Sequence, residues 1–219
     1  MQCCATENEI RRRIEECTGV ESYEIVGNDW DYTVVFEEVD DYTASCILNT
    51  ISDIMYGQGE LSLAETFVNK AIEKGVCVSV AESCTGGLLA SSIIDVAGAS
   101  QMFQEGLVTY TDIAKMERLD VNSETLLTYG AVSEEAAIEM AEGLFMSAPN
   151  IKVGISTTGI AGPGGGSLEK PVGTVYIAVV GTGNAEVYKN LYKGDRFTIR
   201  NKTKNCALFY ALKYINKYY

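Results

Sequence analysis

The 219 residues carry a formal net charge of −13, are 47% hydrophobic and include no histidine; this is enough chain for one good-sized domain, or one domain plus a small appendage. Without histidine, Ser-His-Asp and Cys-His catalysis are excluded, as is every metal site that needs imidazole, and the acidity argues against nucleic acid, which demands clustered Lys and Arg. Seven cysteines in no paired spacing point to a reducing cytoplasm rather than a disulfide scaffold, and no apolar run approaches a membrane span or a signal-peptide core.

In chain order, the charge is uneven. Residues 1–57 hold 13 Asp/Glu against three basic residues, Arg11 to Arg13; from Gly57 onward the chain is close to neutral. A boundary is expected near Tyr56–Glu60, where Gly57 and Gly59 supply turn chemistry. Ahead of it, Tyr32–Phe36 reads as a strand and Ala44–Met55 as a helix through Cys46, Ile47, Ile51 and Ile54. Residues 1–57 are therefore expected to form a small α+β appendage, the alternative being an acidic disordered tail. Ser62–Lys74 reads as a helix, with Ser62 and Glu65 at capping-box spacing and Gly75 as its stop.

Val76, Val78 and Val80 then give a short β-branched strand, and Leu88, Leu89, Ile93, Ile94 and Val96 recur at helical spacing. Between them lies Ser83-Cys84-Thr85-Gly86-Gly87, a junction of strand, tight turn and helix N-terminus that suits an anion or a developing oxyanion. A second strand closes Phe103–Tyr110. Helices follow over Ile113–Leu119, Ser123–Tyr129 and Ser133–Met146, the last capped by Ser133. Lys152–Ser156 is a strand running into a glycine-rich turn at Thr157–Ser167. Gly173–Val180 and Ala185–Tyr192 form a hairpin around GTGN, and a final helix runs from about Asp195. Alternating strands and helices predict an α/β fold, a three-layer α/β/α sandwich with a mixed sheet over residues 58–219.

Several of these residues can carry chemistry. Ser83 needs a base to become a nucleophile, and without histidine a lysine held neutral in a desolvated pocket is the substitute. Lys115 follows the Leu107–Tyr110 strand by a few residues, and Tyr110 is placed to relay or orient the proton. The competing readings are a helix cap for Ser83 and a solvated surface charge for Lys115. Cys84 is the rival nucleophile, but the adjacent Glu82 works against a thiolate. Ser167-Leu168-Glu169-Lys170 matches the SxxK pattern, yet glycines precede it, Pro171 follows, and its usual partner motifs are missing, so it reads as a chance match. The glycines of the second turn can form an anion nest. Arg196 and Arg200, four apart on the last helix, would present two guanidiniums on one face, suited to a phosphate or merely solvated.

The motifs AESCTGG (81–87), VTYTDIAK (108–115), GAVSEE (130–135), TGIAGPGGGSLEKPVGTV (158–175) and GDR (194–196) together resemble the C-terminal domain of the CinA family. Its characterised stand-alone relatives are nicotinamide-nucleotide amidases. The resemblance covers roughly Gly57 to the C-terminus. It implies Ser83 as nucleophile, Lys115 as base and Tyr110 as assistant. It also implies that the glycine-rich turn lines the substrate pocket and that Arg196 binds a phosphate; with the first turn and the i, i+4 arginine, the expected substrate-binding set is Glu82, Thr85, Gly86, Gly87, Thr158, Gly159, Gly162, Arg196 and Arg200. Full-length CinA proteins carry a further large domain similar to molybdopterin-binding proteins, for which this chain is too short. Residues 32–57 look like the small KH-like connecting module of those proteins, although their acidity does not suit RNA.

The expected activity is a cytoplasmic serine amidohydrolase converting nicotinamide mononucleotide and water to nicotinic acid mononucleotide and ammonia. It would need no metal or organic cofactor, and would have no nucleic-acid or membrane partner. Homodimerisation is an expectation from the family alone. The alternative is a non-catalytic nucleotide- or partner-binding module linked to competence or DNA repair, as the CinA name suggests.

Overall fold

The computed structural model describes residues 1–17, 20, 22–28, 30–36 and 39–219. The chain divides into two units, Met1–Thr66 and Phe67–Tyr219.

The first unit contains β1 (Gln2–Cys3), α1 (Glu7–Glu15), β2 (Tyr23–Asn28), β3 (Asp31–Phe36), α2 (Asp41–Ile51) and β4 (Met55–Gly57). Its strands form an antiparallel sheet in the order β2-β3-β1-β4. Ile10 and Ile14 of α1 meet Ile47 and Ile51 of α2 and Cys3 and Val34 of the sheet in one apolar core. That core is what an acidic disordered tail would lack. The helix expected to run to Met55 stops at Ile51, because Met55 is taken up by the sheet opposite Cys3. Helix α1 has no counterpart in the sequence reading. It shows only two buried apolar residues, and its start is set by the Thr6 hydroxyl accepting from the Glu9 N–H. Arg11 pairs with Glu7, Arg12 with Glu16, and Arg13 with Glu9 and Asp53. The basic run is thus directed at its own unit's acids.

Helix α3 (Leu63–Glu73) spans the division between the units. Its start is the anticipated capping box: the Glu65 carboxylate accepts from the Ser62 N–H at 2.8 Å while the Ser62 hydroxyl accepts from the Glu65 N–H at 3.3 Å.

The second unit continues with β5 (Val78–Glu82), α4 (Leu88–Ile94), a 3₁₀ turn (Ala99–Gln101), β6 (Phe103–Val108), α5 (Asp112–Leu119), α6 (Ser123–Tyr129) and α7 (Glu134–Ser147). It closes with β7 (Val153–Gly159), β8 (Thr174–Gly181), β9 (Asn184–Leu191) and α8 (Arg196–Tyr218). The sheet order is β6-β5-β7-β8-β9, with β6, β5 and β7 parallel and the last two strands antiparallel. This is the expected mixed sheet of a three-layer α/β/α sandwich. One layer is α7, lying along β7 and β8 with α5 and α6 against it; the other holds α8 and α4, which pack on each other and on the sheet. Tyr176, Ala178 and Val180 of β8 join Ala137 and Ala141 of α7 in an apolar cluster. Gly154 on β7 lets α7 approach closely, since a Cβ there would stand 2.5 Å from the Ala141 carbonyl oxygen. Among the described residues, no helix is long and apolar enough to cross a membrane.

Strand β7 runs three residues further than the sequence reading placed it, to Gly159. Its pairing with β8 continues as far as Gly159 opposite Val175. Thr157, Thr158 and Gly159 are therefore sheet residues, and the glycine-rich turn begins after them.

Candidate active site

Three parallel strands, β6, β5 and β7, end side by side, and their carboxyl ends with the segments leaving them hold the residues singled out above, apart from Arg196 and Arg200 on α8. This is where open α/β sheets place ligands. Ser83 follows β5 directly, its N–H donating to the Thr157 carbonyl of β7 at 2.9 Å. The Thr109 N–H, just past β6, donates to the Glu82 carbonyl at 2.9 Å. The backbone on both sides of Ser83 is therefore fixed by the sheet.

Lys115, from the second turn of α5, reaches under this edge. It is 1% exposed, and Ser83 is 8% exposed. Lys115 Nζ lies 3.2 Å from Ser83 Oγ, 3.0 Å from the Thr109 carbonyl oxygen and 3.4 Å from the Tyr110 carbonyl oxygen. No carboxylate among the described residues forms an ion pair with it. Burial pushes the Lys115 amine below its ordinary value, only partly opposed by the charge of Asp112. The reading of Lys115 as a solvated surface charge fails on this geometry. The arrangement also aims the amine. A neutral amine has two N–H donors and one lone pair; two carbonyls, which can only accept, take the N–H groups, so the lone pair is left for the Ser83 hydroxyl.

The turn Ser83–Gly87 is held from two directions. Glu82, 1% exposed, accepts from the N–H groups of Gly87 at 2.9 Å, Leu89 at 3.1 Å and Ala90 at 2.8 Å. The start of α4 is thus occupied by a carboxylate of the chain itself, and the helix cap is Glu82 rather than Ser83. Arg200 of α8 donates from Nε to the Cys84 carbonyl at 3.1 Å and from Nη2 to the Thr85 carbonyl at 2.6 Å. The Thr85 and Thr157 hydroxyls pair at 2.7 Å. The carboxylate of Glu82, the hydroxyl and carbonyl of Thr85 and the guanidinium of Arg200, all anticipated among the substrate ligands, are engaged in holding the loop that carries Ser83. Gly86 has φ +60°, and a Cβ there would meet Arg200 Nη2 at 3.3 Å; Gly87 has φ +95°. Cys84 is buried and its thiol is pushed up to about 12 by that burial, which leaves it a poor rival to Ser83.

Arg196, one turn before Arg200 on α8, links the two other loops. Its Nη1 donates to the Gly162 carbonyl at 2.8 Å and its Nη2 to the Tyr110 hydroxyl at 3.0 Å. Tyr110 accordingly meets the lysine through its carbonyl and the arginine through its hydroxyl; the hydroxyl has no hydrogen bond to Ser83 or Lys115. Three of the five Arg196 N–H donors remain uncommitted among the described residues. Thr158 gives its hydroxyl to the Ala131 carbonyl at 2.6 Å and faces α7. Gly159 sits in tight contact with Val175. The SxxK match dissolves: Ser167 Oγ accepts from the Lys170 N–H at 3.0 Å, and the Lys170 ammonium goes to the Tyr129 carbonyl at 2.6 Å.

The chain is similar to known proteins over most of its length. The family model of the CinA C-terminal domain matches residues 60–215. A CinA-like protein of Kosmotoga olearia is 48% identical over 171 residues, covering 78% of this chain and 40% of the relative. The chain thus spans about two-fifths of the length of such curated relatives. The crystal structure of the competence/damage inducible protein CihA from Agrobacterium tumefaciens is 40% identical, with a TM-score of 0.66 over 73% of this chain and 99% of that one. A CinA superfamily protein from Klebsiella pneumoniae is 31% identical with a TM-score of 0.69, over 71% of this chain and 97% of that one. Residues 1–59 lie outside the family match, which lends no support to a KH-like origin for 32–57. On the matched residues, the chain belongs to the CinA C-terminal domain family.

Proposed function

We propose that this chain is a serine amidohydrolase with a Ser83–Lys115 dyad, and that its substrate is nicotinamide mononucleotide, cleaved to nicotinic acid mononucleotide and ammonia. The observation that carries the reading is a buried lysine, with no carboxylate ion-paired to it among the described residues, 3.2 Å from a buried serine hydroxyl at the carboxyl end of a central strand. A lysine placed there for stability alone would be costly, because its desolvated charge is only partly offset by Asp112 and the surrounding oxygen acceptors.

Neutral Lys115 accepts the Ser83 hydroxyl proton as Oγ attacks the carboxamide carbon, giving a tetrahedral oxyanion. The two carbonyls of Thr109 and Tyr110 then stabilise the ammonium that has formed. That ammonium donates its proton to the departing nitrogen and ammonia leaves. Water, deprotonated by the same amine, hydrolyses the acyl-serine and restores the enzyme. The phosphate of the nucleotide falls to Arg196, whose remaining donors lie between Tyr110 and the glycine-rich turn.

The experiment is a coupled ammonia-release assay on purified protein with nicotinamide mononucleotide, run beside Ser83→Ala. Release by the wild type that disappears in Ser83→Ala supports the reading. Equal release by both, or none by the folded wild type, overturns it.

A further inference from the structure

The Arg200 clamp has a consequence for the other side of the turn. Its two acceptors are the carbonyls of Cys84 and Thr85. Each carbonyl shares a planar peptide with the following N–H, those of Thr85 and Gly86, and both peptides are trans. In a trans peptide the C=O and N–H point in opposite directions. Holding both carbonyls toward Arg200 therefore turns the Thr85 and Gly86 N–H groups away from it.

Those two N–H groups donate to no protein acceptor among the described residues. Of the neighbouring donors, Ser83 N–H goes to Thr157, Gly87 N–H to Glu82 and Leu88 N–H to the Thr85 carbonyl at 3.4 Å, while Cys84 N–H, whose peptide Arg200 does not hold, also meets no protein acceptor among the described residues. Thr85 is fully buried, and a buried backbone N–H without a partner is uncommon enough to need an explanation. Gly86 is exposed, so its N–H opens to ligand space. Both donors lie two and three residues after the nucleophile.

We propose that Arg200 is a positioning residue: by fixing two peptide planes it preorganises the Thr85 and Gly86 N–H groups as the oxyanion hole for Ser83. The inference rests on the serine-lysine reading and adds to it the donors and their support. It also accounts for glycine at position 86, where φ is +60° and any Cβ would crowd the guanidinium. Lysine cannot replace the clamp, because a single ammonium does not reproduce a planar fork directed at two carbonyls.

The test uses two readouts on the whole chain: ammonia release, and the rate at which a fluorophosphonate labels Ser83, followed by mass spectrometry. In the labelling step the Oγ–P bond forms, the P–F bond breaks, fluoride leaves and the hydroxyl proton passes to Lys115. Developing charge falls on the phosphoryl oxygen, so labelling reads the hole without the natural substrate. Misplaced donors typically cost about 10²-fold, so folded Arg200→Ala is expected to lose roughly 10- to 100-fold in both kcat and labelling rate, with KM little changed. Methylguanidinium in the buffer should restore part of both. Gly86→Ala should slow labelling in the same way. A folded Arg200→Ala that labels at the wild-type rate overturns the proposal, and so does one whose KM rises at constant kcat, which would make Arg200 a substrate ligand. Should Arg200→Ala not fold, Arg200→Lys decides by the same criterion. A wild type that labels Ser83 but releases no ammonia defeats the substrate reading alone, and the labelling comparison still judges Arg200. A wild type that does not label Ser83 overturns both.

Discussion

Two turns leave adjacent parallel strands at the same sheet edge, and they are built differently. After β5, both carbonyls of the Cys84-Thr85 segment are held by Arg200, and Glu82 secures the Gly87 end. After β7, the segment Ile160–Gly166 gives one carbonyl, that of Gly162, to Arg196, while the N–H groups of Ala161, Gly162 and Gly164 to Gly166 meet no protein acceptor among the described residues. The first turn is fixed tightly enough to aim a nucleophile. The second offers a row of uncommitted donors beside an exposed guanidinium, which suits an anionic group of a ligand. One helix, α8, supplies the arginine for each, four residues apart. On the function proposed above, the contrast becomes a division of labour, with bond-breaking at the first turn and recognition at the second.

The largest expected effect is at the first turn. Lys115→Arg keeps a cation but cannot deliver a neutral base, and loss of a positioned general base typically costs roughly 10²–10⁴-fold. Ammonia release should fall by at least that much, measured as kcat with saturating substrate. At the second turn the effect should be smaller and selective. Arg196→Ala removes a charge-assisted contact of about 1.5–3 kcal/mol, roughly ten- to over a hundredfold in kcat/KM for nicotinamide mononucleotide. Turnover of the phosphate-free riboside should barely change. Equal loss on both substrates would erase the division between the turns.

Next comes a stability effect without a recognition effect. Glu82→Ala strips the carboxylate from three N–H groups, and an unsatisfied buried donor costs about 1–3 kcal/mol, so thermal unfolding should shift down by several degrees. The smallest effect belongs to Cys84→Ala. Its thiol is held protonated by burial, so ammonia release should stay within a few-fold of wild type; its loss would move the nucleophile to Cys84.

Much of this was legible in the sequence, for identifiable reasons. Strand β5, the turn after it and α4 announce themselves through a valine run, two glycines and a 3.6-residue period. Lys115 follows from the lack of histidine and its place after a strand. The i, i+4 spacing of Arg196 and Arg200 correctly put both on one face of α8. Spacing says nothing about what a guanidinium meets, however, so a clamp on backbone carbonyls and a phosphate site read identically. Glu82 was misread for a related reason: it ends a strand five residues before the nearest N–H it caps, a contact made only when the turn folds back. Thr158 looked like a loop residue because the TTG sequence suggests a turn, while its pairing with Tyr176 on β8 is tertiary information. Helix α1 was hidden by its charge, since only Ile10 and Ile14 mark its buried side.

The central claim is that Lys115 works as a neutral base, and the pH dependence of kcat/KM for ammonia release tests it most directly. Burial lowers the Lys115 value, so the base is protonated and inactive at low pH and becomes competent as pH rises through that lowered value. The account predicts kcat/KM climbing with pH through one ionisation below the ordinary lysine range, with that ionisation absent from the residual activity of Lys115→Arg. A wild-type profile that is flat, or a rising limb that Lys115→Arg leaves in place, would contradict it.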